Sequence, residues 1–140
     1  MILGLLPELG GGLGTLARMG QHTRFLDSYL RPYARAFDEV RYFSYAHETL
    51  ADFTQDSALT ARVSLVPGPA THAWVSTVLL GLRHGPALRE CAVLRVFQLT
   101  GAIPALMARR RYGVPFVTTY GFRYDLFSST ASRAWLHRRF

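Results

Sequence analysis

Two junctions in this chain have the residue types and spacing to meet a ligand: Gly10-Gly11-Gly12-Leu13-Gly14 near the start, and Gln98-Leu99-Thr100-Gly101 later. Each stands where an apolar, strand-like run gives way to a helical pattern. In an open parallel sheet the carboxyl ends of the strands converge on one edge, where small residues let a ligand approach the backbone and the next helix N-terminus. Gly12-Leu13-Gly14-Thr15-Leu16-Ala17 satisfies the loose G-x-G-x-x-A form of a dinucleotide fingerprint, with a pyrophosphate at the helix start. That fingerprint also wants an acidic residue about 20 positions on, at the end of the second strand, to hold a ribose hydroxyl. Here the second strand ends near Tyr45, and Glu48 follows only after two intervening helical runs. A simple tight turn and a loop that meets a sugar or phosphate stay open beside the dinucleotide reading.

The other polar residues at strand ends are also ambiguous by type. Gln98 either caps the helix that begins at Gly101 or offers its amide to a ligand hydroxyl. In Tyr120-Gly121-Phe122-Arg123-Tyr124-Asp125, Arg123 either holds a phosphate or pairs with Asp125. His47, Glu48 and His72 follow the second and third strands, where a histidine is more often surface than catalytic. The candidate ligand contacts are Gly11, Gly12, Gly14, Glu48, Gln98, Gly121 and Arg123. No catalytic residue is assigned, and no Cys/His spacing resembles a zinc site.

The elements that must position these residues follow from periodicity. Ile2 to Leu6 reads as a buried first strand and Leu13 to Met19 as a helix. Thr23 to Phe37 is a second helical run whose Phe25, Leu26, Tyr29, Leu30, Tyr33 and Phe37 share a face, with a kink or break expected at Pro32. Val40 to Tyr45 is the second strand, 46–60 a polar loop, and Arg62 to Val66 a third strand closed by Pro67-Gly68-Pro69. Thr71 to Arg83 is an apolar helix expected to be sandwiched against the sheet, followed by a short turn of helix from Pro86 to Cys91. Ala92 to Phe97 is apolar almost throughout, as a central strand covered on both faces is. Gly101 to Tyr112 is a helix, Pro115 to Tyr120 a fifth strand and Ser129 to Arg139 a last helix. This alternation predicts an α/β fold, a Rossmann-like parallel sheet of about five strands with helices on both faces. Val93, Leu94, Val96, Phe116 and Val117 are expected in its core.

With 140 residues the chain is one domain, and its 49% hydrophobic content is that of a core-forming protein. The single Cys91 excludes an internal disulfide framework and fits a reducing, cytoplasmic setting. No apolar run is long enough to span a bilayer, and Met1-Ile2-Leu3 lacks the basic flank of a secretory signal. All of the 16 Lys+Arg residues are arginine, and the formal net charge is +7. That charge favours anionic partners, among them an acidic membrane surface met peripherally, although Arg109-Arg110-Arg111 also suits the negative end of a helix. Phe25, Tyr29, Tyr33 and Phe37 are more simply core than base-stacking residues, and no nucleic-acid partner is expected.

The order of these pieces resembles the N-terminal half of GT-B glycosyltransferases of the family-4 type, over essentially the whole chain. The resemblance rests on Pro7-Glu8-Leu9-Gly10-Gly11-Gly12 after the first strand and on the helix leading into Arg41-Tyr42-Phe43-Ser44-Tyr45. Its third mark is the block from Gly101 to Gly121, in which a helix leads through Gly113-Val114-Pro115 to a strand and a ligand-facing loop. It implies transfer of a sugar from a nucleotide-sugar donor, as co-substrate and with no further cofactor, to a glycan, lipid or small-molecule acceptor. Residues 1–140 would be the acceptor-side domain. The donor would be held mainly by a C-terminal domain carrying an E-x7-E glutamate pair, a spacing that Glu8, Glu39, Glu48 and Glu90 do not have. Gln98 or Tyr120 stands where that family's histidine near the cleft would be sought. The sequence ends at Arg138-Arg139-Phe140 inside a helical pattern, so this stretch is expected to be inactive alone, with Leu13, Phe122 and Phe127 on a face for the second domain. The competing classes are a dinucleotide-binding oxidoreductase fragment and a basic stand-alone interaction domain.

Overall fold

The structure, a computed structural model, describes residues 1–68 and 71–119. Five strands, β1 (Ile2–Leu6), β2 (Glu39–Phe43), β3 (Val63–Val66), β4 (Val93–Val96) and β5 (Phe116–Thr118), form one sheet in the order β3-β2-β1-β4-β5. Every adjacent pair is parallel, which gives a Rossmann-like α/β architecture. The registers Leu3↔Val40 and Leu3↔Val93 centre the sheet on β1.

Side-chain alternation along the strands divides the core in two. Leu3 and Leu5 of β1, Val40 and Tyr42 of β2 and Val63 of β3 face α1 (Leu13–Arg18), α2 (His22–Phe25), α3 (Arg31–Ala36) and α4 (Ser57–Arg62). Leu6, Phe43, Leu94 and Val96 face α5 (Ala73–Arg83), α6 (Gly85–Arg89) and α7 (Ala102–Tyr112). Burying apolar groups on both faces is the main stabilising term, worth about 1.5–3 kcal/mol for each large side chain fully removed from water.

Between α2 and α3 the chain does not break at Pro32. It stays helical through a π-type segment, Leu26–Leu30, and Pro32 falls in the first turn of α3. In the wider turn the Arg31 amide, just before the proline, donates to Leu26 O.

Some expectations change. The stretch 46–60 is not all loop: Leu50–Asp52 is a 3-10 turn with a reciprocal Thr49/Asp52 cap, and α4 begins at Ser57. The α4 signal was Asp56, whose carboxylate accepts from the Ala58 and Leu59 amides, a Ser/Asp-type N-cap within a polar run. Leu94 and Val96 are buried as expected, but Val93 and Phe116 are only half-buried and Val117 is exposed. Val117 lies beside Arg95 on the α1–α4 face of the edge strand β5, where the described helices do not cover it. Leu13 is fully buried in the α1–α4 core, so it cannot serve an interdomain face. Gly121, Arg123, Phe122, Phe127 and the last expected helix, 129–139, lie outside the described residues. No helix among the described residues is long and apolar enough to cross a membrane.

Candidate functional site

Strand order creates the site. From β1 the chain moves outward to β2 and β3, then returns to pair β4 on the other side of β1. The connections leaving the carboxyl ends of β1 and β4 therefore diverge, which opens a crevice between them. Both polar junctions sit there. The Phe97 amide donates to Leu6 O at 3.0 Å, which keeps the two connections side by side, and Gly101 N donates to Gln98 O at 2.9 Å within the β4 connection. At Gly101 the approach is so close that a Cβ would run into the Pro7 carbonyl oxygen. Here glycine is needed for space alone.

The resulting cleft has a volume of about 110 Å³ and is lined by Pro7, Glu8, Gly11, Gly12, Thr15, Leu16, Phe25, Tyr42, Phe97 and Gln98. The sequence-derived residues Gly11, Gly12 and Gln98 are thus brought together. Gln98 makes no cap hydrogen bond with its side chain, which removes the capping explanation for it. Burial pushes the Tyr42 hydroxyl well above its ordinary range, and the Glu48 and Glu8 carboxylates push it further, so it stays a neutral donor. Phe25 packs edge-on against Tyr42 and Phe97, at centroid distances of 5.6 and 5.2 Å, and these three rings form one aromatic wall.

Glu48 and Gly14 do not line the cleft; they hold its glycine loop from behind. The Glu48 carboxylate accepts from Leu13 N at 2.7 Å, Gly14 N at 2.8 Å and the Ser44 hydroxyl at 2.7 Å. The first backbone donors of α1 are therefore satisfied by this chain's own acid, where a dinucleotide pyrophosphate would sit in the fingerprint reading. A Cβ at Gly12 would stand 2.7 Å from both Glu48 Oε1 and Ser44 Oγ, and one at Gly14 would stand 3.1 Å from Glu48 Oε2. The G-x-G spacing is explained by admitting a carboxylate.

Sequence reading missed Glu8, Thr15, Tyr42 and Phe97 as cleft residues. Thr15 and Phe97 each adjoin a junction that was singled out and Glu8 lies two residues before one, and that nearness was the usable signal. Tyr42 reads as an ordinary strand aromatic, and only the register Leu5↔Tyr42 places it beside β1. A larger groove of about 400 Å³, lined by Arg31, Arg35, Asp56 and Arg62, lies between α3 and α4. Its Arg31 and Asp56 are paired with each other, and Arg62 immediately precedes the start of β3, so this groove is away from the strand carboxyl ends. Among the described residues, no three His, Cys, Asp or Glu side chains converge as a metal site. Comparison of the chain with protein-family models, with curated proteins and with solved structures gave no match.

Proposed function

We propose that this chain is the acceptor-side domain of a GT-B glycosyltransferase, binding a hydroxyl-rich acceptor in the cleft between the β1 and β4 connections. The observation that carries the reading is the lining of that cleft. The polar residues Glu8, Thr15, Tyr42 and Gln98 line it together with an aromatic wall of Phe25, Tyr42 and Phe97. Hydroxyls need convergent hydrogen-bond partners, and the C–H faces of a sugar ring pack on aromatic rings. At about 110 Å³ the cleft is well below the roughly 300–1,000 Å³ of a complete small-molecule site, so it supplies one wall. The nucleotide-sugar donor is bound mainly by a second domain. Transfer by residues 1–140 alone is then not expected, because the donor diphosphate lacks its clamp and the reacting carbon stays open to water.

The oxidoreductase reading is weakened by Glu48, which would set a carboxylate against a pyrophosphate. Saturation-transfer NMR of the chain with a panel of alkyl glycosides, nucleotide sugars and NAD separates the classes. Weak glycoside binding that is lost in a Thr15→Ala, Gln98→Ala double variant is the expected result. NAD binding retained in that variant, with no glycoside signal, would reject the proposal.

A further inference from the structure

Helix α5 is apolar on both sides. Thr77 and Leu80 are buried, as a helix lying on a sheet requires, yet Trp74, Val75, Val78 and Leu82 are 56%, 52%, 43% and 55% exposed. At about 100° per residue these four positions fall within one arc of about 100°, opposite the buried residues. Leu106, on the neighbouring α7, is 45% exposed. A helix with an apolar outer strip is ordinarily covered, since monomers rarely leave such patches in water.

The charges around the strip indicate what covers it. From residue 63 to 119 the sequence has one acid, Glu90, against Arg83, Arg89, Arg95, Arg109, Arg110 and Arg111. Glu90 is already engaged by Arg41 at 2.6 Å. Arg109 and Arg110 lie three and four residues beyond Leu106 and so share its side of α7. Both arginines are exposed. A second copy seated on this strip would bring like charges together with no acid to pair them. An anionic lipid surface answers both features, because tryptophan and aliphatic groups settle at the headgroup boundary while arginines meet the phosphates.

We propose that the outer face of α5 and α7 is a peripheral docking site for anionic lipid, with Trp74, Val75, Val78 and Leu82 entering the headgroup region and Arg109 and Arg110 contacting lipid phosphates. This face lies across the sheet from the helices that line the sugar cleft, and the proposal does not depend on the reading of that cleft.

The test uses residues 1–140 with Trp135→Phe, which leaves Trp74 as the one indole of the two in the sequence. It is mixed with vesicles of phosphatidylcholine alone, or of phosphatidylcholine with phosphatidylserine. Cosedimentation at least about tenfold stronger with the mixed vesicles, and a blue shift of Trp74 emission, are expected. Arg109→Gln with Arg110→Gln should weaken binding about 25-fold, at roughly fivefold per arginine. Val78→Ser with Leu82→Ser should abolish the shift while the circular dichroism and the urea midpoint stay those of the parent. Four results would each overturn the proposal: no partitioning; equal binding to both vesicle types that ignores the arginine variant; a Trp74 already blue-shifted and protected from quencher without vesicles; or a concentration-dependent dimer that Val78→Ser with Leu82→Ser dissolves.

Discussion

Replacing Glu48 by alanine should unlock the glycine loop. The carboxylate takes three hydrogen bonds, at 2.7, 2.8 and 2.7 Å, from Leu13 N, Gly14 N and the Ser44 hydroxyl. Hydrogen bonds to an ionised group contribute about 1.5–3 kcal/mol each, but they are not additive. Glu48 is half-buried, so water recovers part of the loss. A destabilisation of about 2–4 kcal/mol follows. Helix α1 has six residues, too few to persist without its cap and its buried Leu13, so the damage should concentrate there. Urea unfolding followed by circular dichroism gives the total, and hydrogen exchange at the Leu13 and Gly14 amides gives the location. Glu48→Gln keeps one acceptor oxygen but turns an NH₂ toward another donor, and should cost about half as much. Gly12→Ala attacks the same contact from the other side, so combined with Glu48→Ala it should cost less than the sum of the two. A Glu48→Ala variant within about 0.5 kcal/mol of the parent, with unchanged exchange at both amides, would refute the reasoning.

Other expectations follow from the core and the caps. Burial pushes the Cys91 thiol from 9.0 up to about 11. Between those values the unfolded thiol ionises while the folded one does not, so stability should fall by about 1.4 kcal/mol per pH unit from about pH 9 upward. Cys91→Ala should flatten the dependence of the urea midpoint between pH 8 and 10.5, and parallel curves would contradict this. On the acid side, Arg31 and then the Leu59 and Ala58 amides hold the Asp56 carboxyl below its usual range. Stability from this cap is present at neutral pH and is lost as the pH falls through the carboxylate range; Asp56→Asn should reduce that acid sensitivity, read from melting curves between pH 6 and 3. Gly101→Ala should displace the β1 connection from the β4 connection, lowering the melting temperature and weakening glycoside binding together, and Gln98→Ala should also weaken glycoside binding.

The sheet was legible because its signals are local and repeated. The run at Leu94 and Val96 reads as interior β4, and the face shared by Phe25, Leu26 and Leu30 reads as a core helix, with each outcome set by burial. Helix α4 was not legible, since a six-residue helix in a polar stretch carries little periodicity beyond its Asp56 cap. Val117 read as core because β-branching speaks for a strand and says nothing about what covers it. The site was half legible. Position after a strand end identified Gly11, Gly12 and Gln98, but Glu48 was weighed as a ribose partner by distance along the chain. Its actual role, closing the loop on itself, depends on how residues 44–48 turn back toward α1, and no pairwise spacing encodes that. Exposure of Trp74 and Val78 was equally hidden, because an apolar helix reads as sandwiched whichever of its sides is covered.

The central claim, that a hydroxyl-rich ligand binds between the β1 and β4 connections, is tested most directly by amide chemical-shift mapping of the isotope-labelled chain titrated with a glycoside acceptor. Shifts should cluster at Glu8, Gly11, Gly12, Thr15 and Gln98, on the carboxyl edge of the sheet, and vanish in the Thr15→Ala, Gln98→Ala variant. Shifts confined to the opposite edge, at residues such as Asp38, Arg62 and Ala92, would contradict the account.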